Sequence, residues 1–261
     1  MLNYLRMQLT CDLSVAQTYR SASQRARVIS EHWFSENCYC LACPSNHLIC
    51  TAPNTKAMDF GCGACGQRYE LKTFRRRPIK SLVDGAFSAL LARVNSGFAP
   101  TLCLLERNDS WQIKSLTAIH SSFLTPVVIE PRPALGPHAR RAGWIGCNIR
   151  LDLIPIDGEI AVIQSGVCTP KSQVRERFRR FLALDNIPAD QRGWTTLTLL
   201  TVRNLARREF RLSELYEREE SFARLFPGNR HIRAKIRQQL QVLRDLGILS
   251  FEGSGRYLLL D

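Results

Sequence analysis

The stretch that decides the fold runs Cys40-Leu41-Ala42-Cys43, then Asp59-Phe60-Gly61-Cys62-Gly63-Ala64-Cys65, then Glu70-Leu71-Lys72. Two C-x2-C pairs stand in it with 18 residues between them. A two-residue gap lets both sulfurs of a pair reach one ion from a tight turn. Two such turns with a spacer of this length are the pattern of a closed, structural zinc site. Cys40, Cys43, Cys62 and Cys65 are therefore the expected Zn2+ ligands. Wrapped around the second pair are Asp59, Glu70 and Lys72, the acid, acid, lysine set of a metal-dependent nuclease.

Side chains alternate along a strand, so Arg68, Glu70 and Lys72 share a face. A knuckle turn that folds the chain back lets Asp59 meet them from the neighbouring strand. Two carboxylates at one point are costly unless a cation lies between them. Mg2+ prefers oxygen ligands and keeps bound water. Its expected ligands are Asp59, Glu70 and the Leu71 carbonyl. Such an ion lowers the pKa of a bound water and offsets charge on a scissile phosphate, with Lys72 orienting the water. The competing reading is an ordinary surface strand, because Glu-x-Lys alone is common. Zinc at the knuckle would pin the turn between the two acid-bearing strands and link their folding to metal.

The remaining cysteines read differently. Cys11, Cys103, Cys147 and Cys168 are isolated and expected as small buried hydrophobes. Cys38 and Cys50 are possible substitute ligands, less suited than Cys40 and Cys43. Residues Met1–Asp12 lack the pattern of a secretory signal, and no apolar run is long enough for a membrane span. A cytoplasmic protein without a membrane partner is expected, as a monomer. The net charge of +13 points to a polyanion, most commonly nucleic acid.

Around the knuckle, residues 14–36 read as a helix with Tyr19, Ala26, Ile29 and Trp33 on one face. Pro44, Asn46, Pro53 and Asn54 mark loop. Residues 57–60 and 68–73 read as strands, and 82–95 as a helix. Residues 101–105, 111–118 and 160–164 read as strands, so the class is α/β or α+β. Residues 131–147 form a loop rich in Pro, Gly and Arg with one Trp, of the kind that carries function. Residues 185–193 read as a linker.

Beyond the linker the pattern changes. Residues 194–205 read as a helix, Ser213 as the N-cap of a second through Phe222, and Asn229 as the cap of a third through Leu246. Ile248–Glu252 and Arg256–Leu260 read as a hairpin turned by Gly253-Ser254-Gly255. Three helices and a hairpin make a winged helix. Arg230, His231, Arg233, Lys235, Arg237 and Gln238 lie mostly off the apolar stripe of the third helix. They are candidate DNA contacts in the major groove, with Arg256 of the wing on the backbone. A merely solvated charged face is the alternative. The expected division is a nuclease domain over 1–187 and a winged-helix domain over 188–261. Both are basic: 23 Lys and Arg against 14 Asp and Glu, and 13 against 9.

Several stretches are more specific. They are Thr18-Tyr19-Arg20-Ser21 with Gln24, Ala26 and Arg27, the two knuckles, and Asp59-Phe60 with Glu70-Leu71-Lys72. Ala139-Arg140-Arg141-Ala142-Gly143-Trp144-Ile145-Gly146-Cys147-Asn148-Ile149 is the most telling. Lys235-Ile236-Arg237-Gln238-Gln239-Leu240-Gln241 with Leu243-Arg244-Asp245 completes the set. Through them the chain resembles the DpnI family of methyl-directed restriction endonucleases nearly end to end. The resemblance implies a PD-(D/E)xK nuclease domain with a bound zinc, followed by a winged helix. It implies a type II site-specific deoxyribonuclease that cuts double-stranded DNA at GATC carrying N6-methyladenine, with both domains reading the methylated site. It makes Asp59, Glu70 and Lys72 catalytic and turns Trp144, beside Arg140 and Arg141, toward the methyl groups. Met58 departs from the proline of the signature, and Arg75-Arg76-Arg77-Pro78 is unusually basic and is expected to add phosphate contacts. The alternatives are a non-cleaving winged-helix regulator with a relic nuclease domain, or a nuclease without sequence preference.

Overall fold

Residues 101–107, Thr-Leu-Cys-Leu-Leu-Glu-Arg, are buried almost throughout. A near-continuous apolar run of this length suits a strand covered on both faces, and it lies inside the main sheet of the computed structural model. The structure describes residues 7–51 and 58–260. The readings made at residues 1–6 and at Pro53, Asn54 and Ala57 lie outside the described residues.

In chain order the first elements are α1 (Ala22–Asn37), β1 (Ile49–Cys50), β2 (Phe60–Gly61), β3 (Arg68–Phe74), β4 (Ser81–Ala86), α2 (Phe87–Asn95), β5 (Thr101–Arg107) and β6 (Ile113–Ile119). Then come β7 (Ile129–Pro131), β8 (Gly146–Arg150), β9 (Glu159–Gln164), β10 (Val167–Cys168), α3 (Lys171–Arg179) and α4 (Ala189–Arg203). The chain closes with β11 (Glu209–Arg211), α5 (Leu212–Tyr216), α6 (Glu219–Leu225), α7 (Ile232–Asp245), β12 (Leu249–Phe251) and β13 (Arg256–Leu259). This is the mixed α+β architecture expected.

The chain divides into two compact units. One gathers Met1–Ile79, Phe98–Ser121 and Glu159–Arg179; the other gathers Lys80–Gly97, Ser122–Gly158 and Arg180–Asp261. The first holds a seven-stranded sheet in the order β1-β2-β3-β5-β6-β9-β10. β3 and β5 pair in parallel, with Glu70 beside Leu102 and Lys72 beside Leu104. The other pairs are antiparallel. Ile29, Trp33 and Phe34 of α1 are buried, and Phe34 meets Phe60 with ring centroids 4.7 Å apart. On α3, Val174 and Phe178 are buried.

The second unit holds two three-stranded sheets, β4-β8-β7 and β11-β13-β12. α7 buries Ile232, Ile236, Leu240 and Leu243, the apolar stripe of a 3.6-residue period. α4 is buried along most of its circumference. Its Thr195 hydroxyl donates to Gln239 of α7 at 2.7 Å, a buried polar rung between the two helices. The hairpin turn needs three successive residues at positive φ, Gly253 (83°), Ser254 (49°) and Gly255 (72°). Glycine adopts that region at little cost, which is why the Gly-Ser-Gly string marks the turn. A third strand, β11, pairs with β13; it is short and polar, and its pattern in the sequence is unremarkable.

Five expectations are corrected. The first helix begins at Ala22, not residue 14. Ser14–Ala16 form a separate 3-10 turn, held by the Asp12 carboxylate accepting from the Ser14 N–H at 2.8 Å. Residues 82–95 are not one helix. Residues 81–86 are β4, which pairs with β8, because Gly85 weakens a helix there and the ladder supplies its hydrogen bonds. The second C-terminal helix starts at Leu212 and is split into α5 and α6; Ser213 lies inside it, and Glu214 accepts from the Arg211 N–H at 2.7 Å. Asn229 is not the cap of the third helix: His231 holds that position, and the Asn229 side chain accepts from the His231 N–H at 2.7 Å before α7 begins.

The fifth correction is the linker. Residues 185–193 are structured: a 3-10 turn spans Leu182–Asn186, and α4 begins at Ala189. Its polar residues are used internally. Ser122 donates to Asp185 at 2.5 Å. Buried Arg192 donates to the carbonyls of Ser122 at 3.1 Å and Ile187 at 2.7 Å. Burial raises the Asp185 pKa. A polar string reads as a linker when its buried partners are distant in sequence, and Ser122 is 63 residues from Asp185.

Candidate active site and metal centre

The second knuckle is the turn between β2 and β3, whose register sets Phe60 opposite Tyr69 and Gly61 opposite Arg68. Inside the turn, Gly66 N–H donates to the Cys62 carbonyl at 2.9 Å, with Gly66 at φ +76°. The first knuckle closes through Cys40 N–H to the Ser45 carbonyl at 3.1 Å. The four sulfurs of Cys40, Cys43, Cys62 and Cys65 all lie within 4.8 Å of one another. Cys40 and Cys65 are 3.5 Å apart, and Cys43 and Cys62 are 3.6 Å apart. Tetrahedral zinc with sulfurs at 2.3 Å places them about 3.8 Å from each other, so this cluster could hold a zinc ion. Cys38 is buried and Cys50 exposed, and neither belongs to the cluster. Of the isolated cysteines, Cys11, Cys103 and Cys147 are buried and Cys168 is half-buried.

Burial raises the thiol of Cys62, yet the backbone N–H groups of Cys65 and Ala64 outweigh it and bring its pKa down to about 6. Cys40 and Cys65 are shifted upward by burial. Four thiolates crowded together need a cation, and binding one releases protons.

Two supports of the cluster have no signature in local spacing. Tyr69 of β3 is buried, and its hydroxyl lies 3.3 Å from the Cys40 sulfur while accepting from the Leu41 N–H at 2.9 Å. α3 grips the first knuckle from outside. Arg175 donates to the carbonyls of Cys40 at 3.1 Å and Ser45 at 2.9 Å, and Arg179 donates to that of Ala42 at 3.2 Å. These cations oppose the negative charge of a tetrathiolate.

On β3, Tyr69 faces the knuckle and its neighbour Glu70 faces the other way. Lys72 Nζ lies 2.6 Å from Glu70 Oε1, with the Glu70 side chain largely buried. Asp59 arrives from the end of β2. Its N–H donates to the Tyr69 carbonyl at 2.9 Å, and its carboxylate accepts from the Leu71 N–H at 2.8 Å. In a strand the N–H and C=O of one residue point to the same side. The Leu71 carbonyl therefore faces the Asp59 side, away from the β5 ladder. Asp59 lies one step beyond the Phe60–Tyr69 register, its carboxylate on the Leu71 N–H, and Lys72 pairs with Glu70, so β3 and the end of β2 offer oxygen donors and one ammonium. Such a set suits Mg2+.

A third carboxylate stands nearby. Glu31 of α1 has its pKa raised, chiefly by burial; Arg27 acts against the shift and the charge of Asp59 adds to it. Arg27 is 3.3 Å from it. No sequence spacing relates Glu31 to Asp59, because a helix and a strand far apart in the chain share no period. In the basic run, Arg75 pairs with Asp109 at 3.1 Å and Arg77 with Glu159 at 2.5 Å, leaving Arg76 exposed. Two of the expected phosphate contacts are thus engaged by carboxylates.

In the second unit, the loop between β7 and β8 is built rather than slack. Arg132 N–H donates to the Gly146 carbonyl, Leu135 N–H to that of Trp144, and Gly143 N–H to that of Leu135, each at 2.9 Å. Arg140 and Arg141 are exposed and Trp144 half-buried, with the Arg141 guanidinium 4.5 Å from the indole centroid.

On α7, Arg233 and Arg237 are exposed but tethered. Arg233 pairs with Glu219 at 2.8 Å, and Arg237 donates to the Tyr216 hydroxyl at 2.8 Å. Arg230, His231, Gln238 and Arg256 are exposed, and Lys235 is half-buried.

The fold and site define a class: a mixed α+β protein with a cysteine knuckle beside an acid, acid, lysine set, and a helix-turn-helix domain at its end. The chain matches the DpnI family, described as the Dam-replacing family, over residues 7–187. It matches the Dam-replacing helix-turn-helix domain over residues 190–258. The chain belongs to the Dam-replacing, DpnI-like family of methyl-directed restriction enzymes. Among the described residues no helix is long and apolar enough to cross a membrane.

Proposed function

We propose that this protein is a type II endonuclease that hydrolyses double-stranded DNA at GATC sites carrying N6-methyladenine, using Mg2+ at Asp59, Glu70 and the Leu71 carbonyl. Two contacts beside the β2–β3 turn support the reading: the Asp59 carboxylate on the Leu71 N–H, and Lys72 against Glu70 on the same strand. Bound there, Mg2+ supplies an acidified water and neutralises charge on the scissile phosphate. Asp59, held by the Leu71 N–H, keeps a fixed oxygen at the site. Lys72, paired with Glu70 at 2.6 Å, offers an ammonium to the attacking water or the phosphate. Zn2+ at the four cysteines keeps the β2–β3 turn closed and has no part in the chemistry.

The proposed division is a nuclease domain over 1–187 and a DNA-binding domain over 188–261. Arg230, His231, Arg233, Lys235, Arg237 and Gln238 would enter the major groove, Arg256 would lie on the backbone, and Arg140, Arg141 and Trp144 would read the methylated site. Burying one methyl group is worth about 0.8 kcal/mol, roughly fourfold. That is too little to spare unmodified DNA. Two methyl groups, each sensed by two readers, accumulate on the order of 3 kcal/mol. A chain with two reading elements meets that requirement.

The test is digestion of fully methylated, half-methylated and bare plasmid with Mg2+, followed by mapping of the ends. Cutting confined to methylated GATC supports the reading. Scattered cutting of bare DNA supports a nuclease without sequence preference. Binding without cutting, unchanged by Lys72→Ala, makes the protein a regulator.

A further inference from the structure

Gly146 opens β8 and is buried, and its backbone lies outside the positive-φ region. Nothing in its conformation requires glycine. Its surroundings do. A Cβ placed there would lie 2.8 Å from Cη2 and 2.9 Å from Cζ3 of Trp144, and 3.6 Å from Cδ of Arg132. The benzo end of the indole therefore occupies the space a side chain would take. The Trp144 backbone cannot easily yield, since its N–H donates to Arg141 at 3.0 Å and its carbonyl accepts from Leu135 at 2.9 Å.

We propose that Gly146 is a positioning residue for methyl discrimination: by lacking a side chain it sets how deeply the Trp144 indole seats. This rests on the reading above that Trp144 faces the methyl groups. Ordinary carbon contacts lie near 3.5–4.0 Å, so a methyl at residue 146 makes the ring retreat by about 1 Å. A ring that reads a methyl group by close contact loses much of that contact over such a distance. Misplacements of this size at a reacting complex reduce rates by up to about 10²-fold.

The experiment compares cutting rates on methylated and bare duplexes of one sequence. The proteins are the wild type, Gly146→Ala, Trp144→Ala, Trp144→Phe and the Gly146→Ala/Trp144→Phe double variant. Zinc content and unfolding midpoint are measured alongside. Phe lacks the benzo end, so the steric conflict exists only with Trp. Gly146→Ala should lower the methylated-to-bare ratio on the order of tenfold in the Trp background and not at all in the Phe background. That pattern is a coupling a general loss of stability does not produce. An unchanged ratio for Gly146→Ala, or an equal loss in both backgrounds, overturns the proposal. If Trp144→Ala loses selectivity while Gly146→Ala keeps it, only the role of Gly146 falls. If Trp144→Ala keeps full selectivity, the reading of Trp144 falls and the proposal falls with it.

Discussion

The cysteine knuckle and the winged helix order short segments with opposite materials. In the knuckle, two tight turns present four sulfurs to one point, and its supports are a hydrogen bond from Leu41 to Tyr69 and others from Arg175 and Arg179. In the winged helix, α7 buries an unbroken apolar stripe, and polar groups sit mostly outside it. The first needs a cation to relieve crowded thiolates; the second needs only water to exclude. Metal should therefore govern the acid-bearing strands and leave the helical part indifferent.

The sharpest way to break that comparison is metal removal. Cys62→Ser, or exhaustive chelation, should release the zinc and abolish cutting, since structural zinc contributes on the order of 10 kcal/mol to folding. The helical circular dichroism signal should largely survive. Its collapse along with the zinc would mean that the two regions fold as one.

Next in size is Asp59→Ala. It removes a carboxylate aimed at the cluster of oxygens but leaves the knuckle intact. Cutting should fall on the order of 10³-fold or more, the scale of losing one preorganised electrostatic group, while DNA binding in a gel assay stays near normal. Leu240→Ala then probes the other side. It empties a fully buried site on α7 and should cost about 2–5 kcal/mol in a denaturation curve, with chelatable zinc unchanged.

The smallest expected effect is Tyr69→Phe. It keeps the buried ring and removes one hydroxyl that touches both Cys40 and Leu41. A loss of about 1 kcal/mol is expected, seen as faster zinc transfer to a chromogenic chelator. Zinc retention equal to wild type would show that the turn alone holds the cluster.

Some of this was legible in the chain because the signal is local. The C-x2-C spacing, the alternation of Glu70 and Lys72 and the period of α7 each need only a dozen residues of context. Errors of a residue or a turn fall at helix ends, and the two largest fall where context is long. Residues 82–95 have a helical composition, yet β8, more than 60 residues on, claims the first part as a strand. Residues 185–193 look like a linker until Ser122 is found beside Asp185. Glu31, Arg175 and Arg179 act near the site from helices whose periods say nothing about a distant strand.

By itself the sequence determined the ligand types, the strand face and the apolar stripe, because spacing within one turn or one strand fixes which side chains can share a point. Only the tertiary structure decided that Tyr69 ties the knuckle to the strand carrying Glu70, and that the indole of Trp144 fills the space over Gly146. The first joins segments nearly 30 residues apart, and the second depends on which way the indole turns within its loop; no spacing of residue types encodes either.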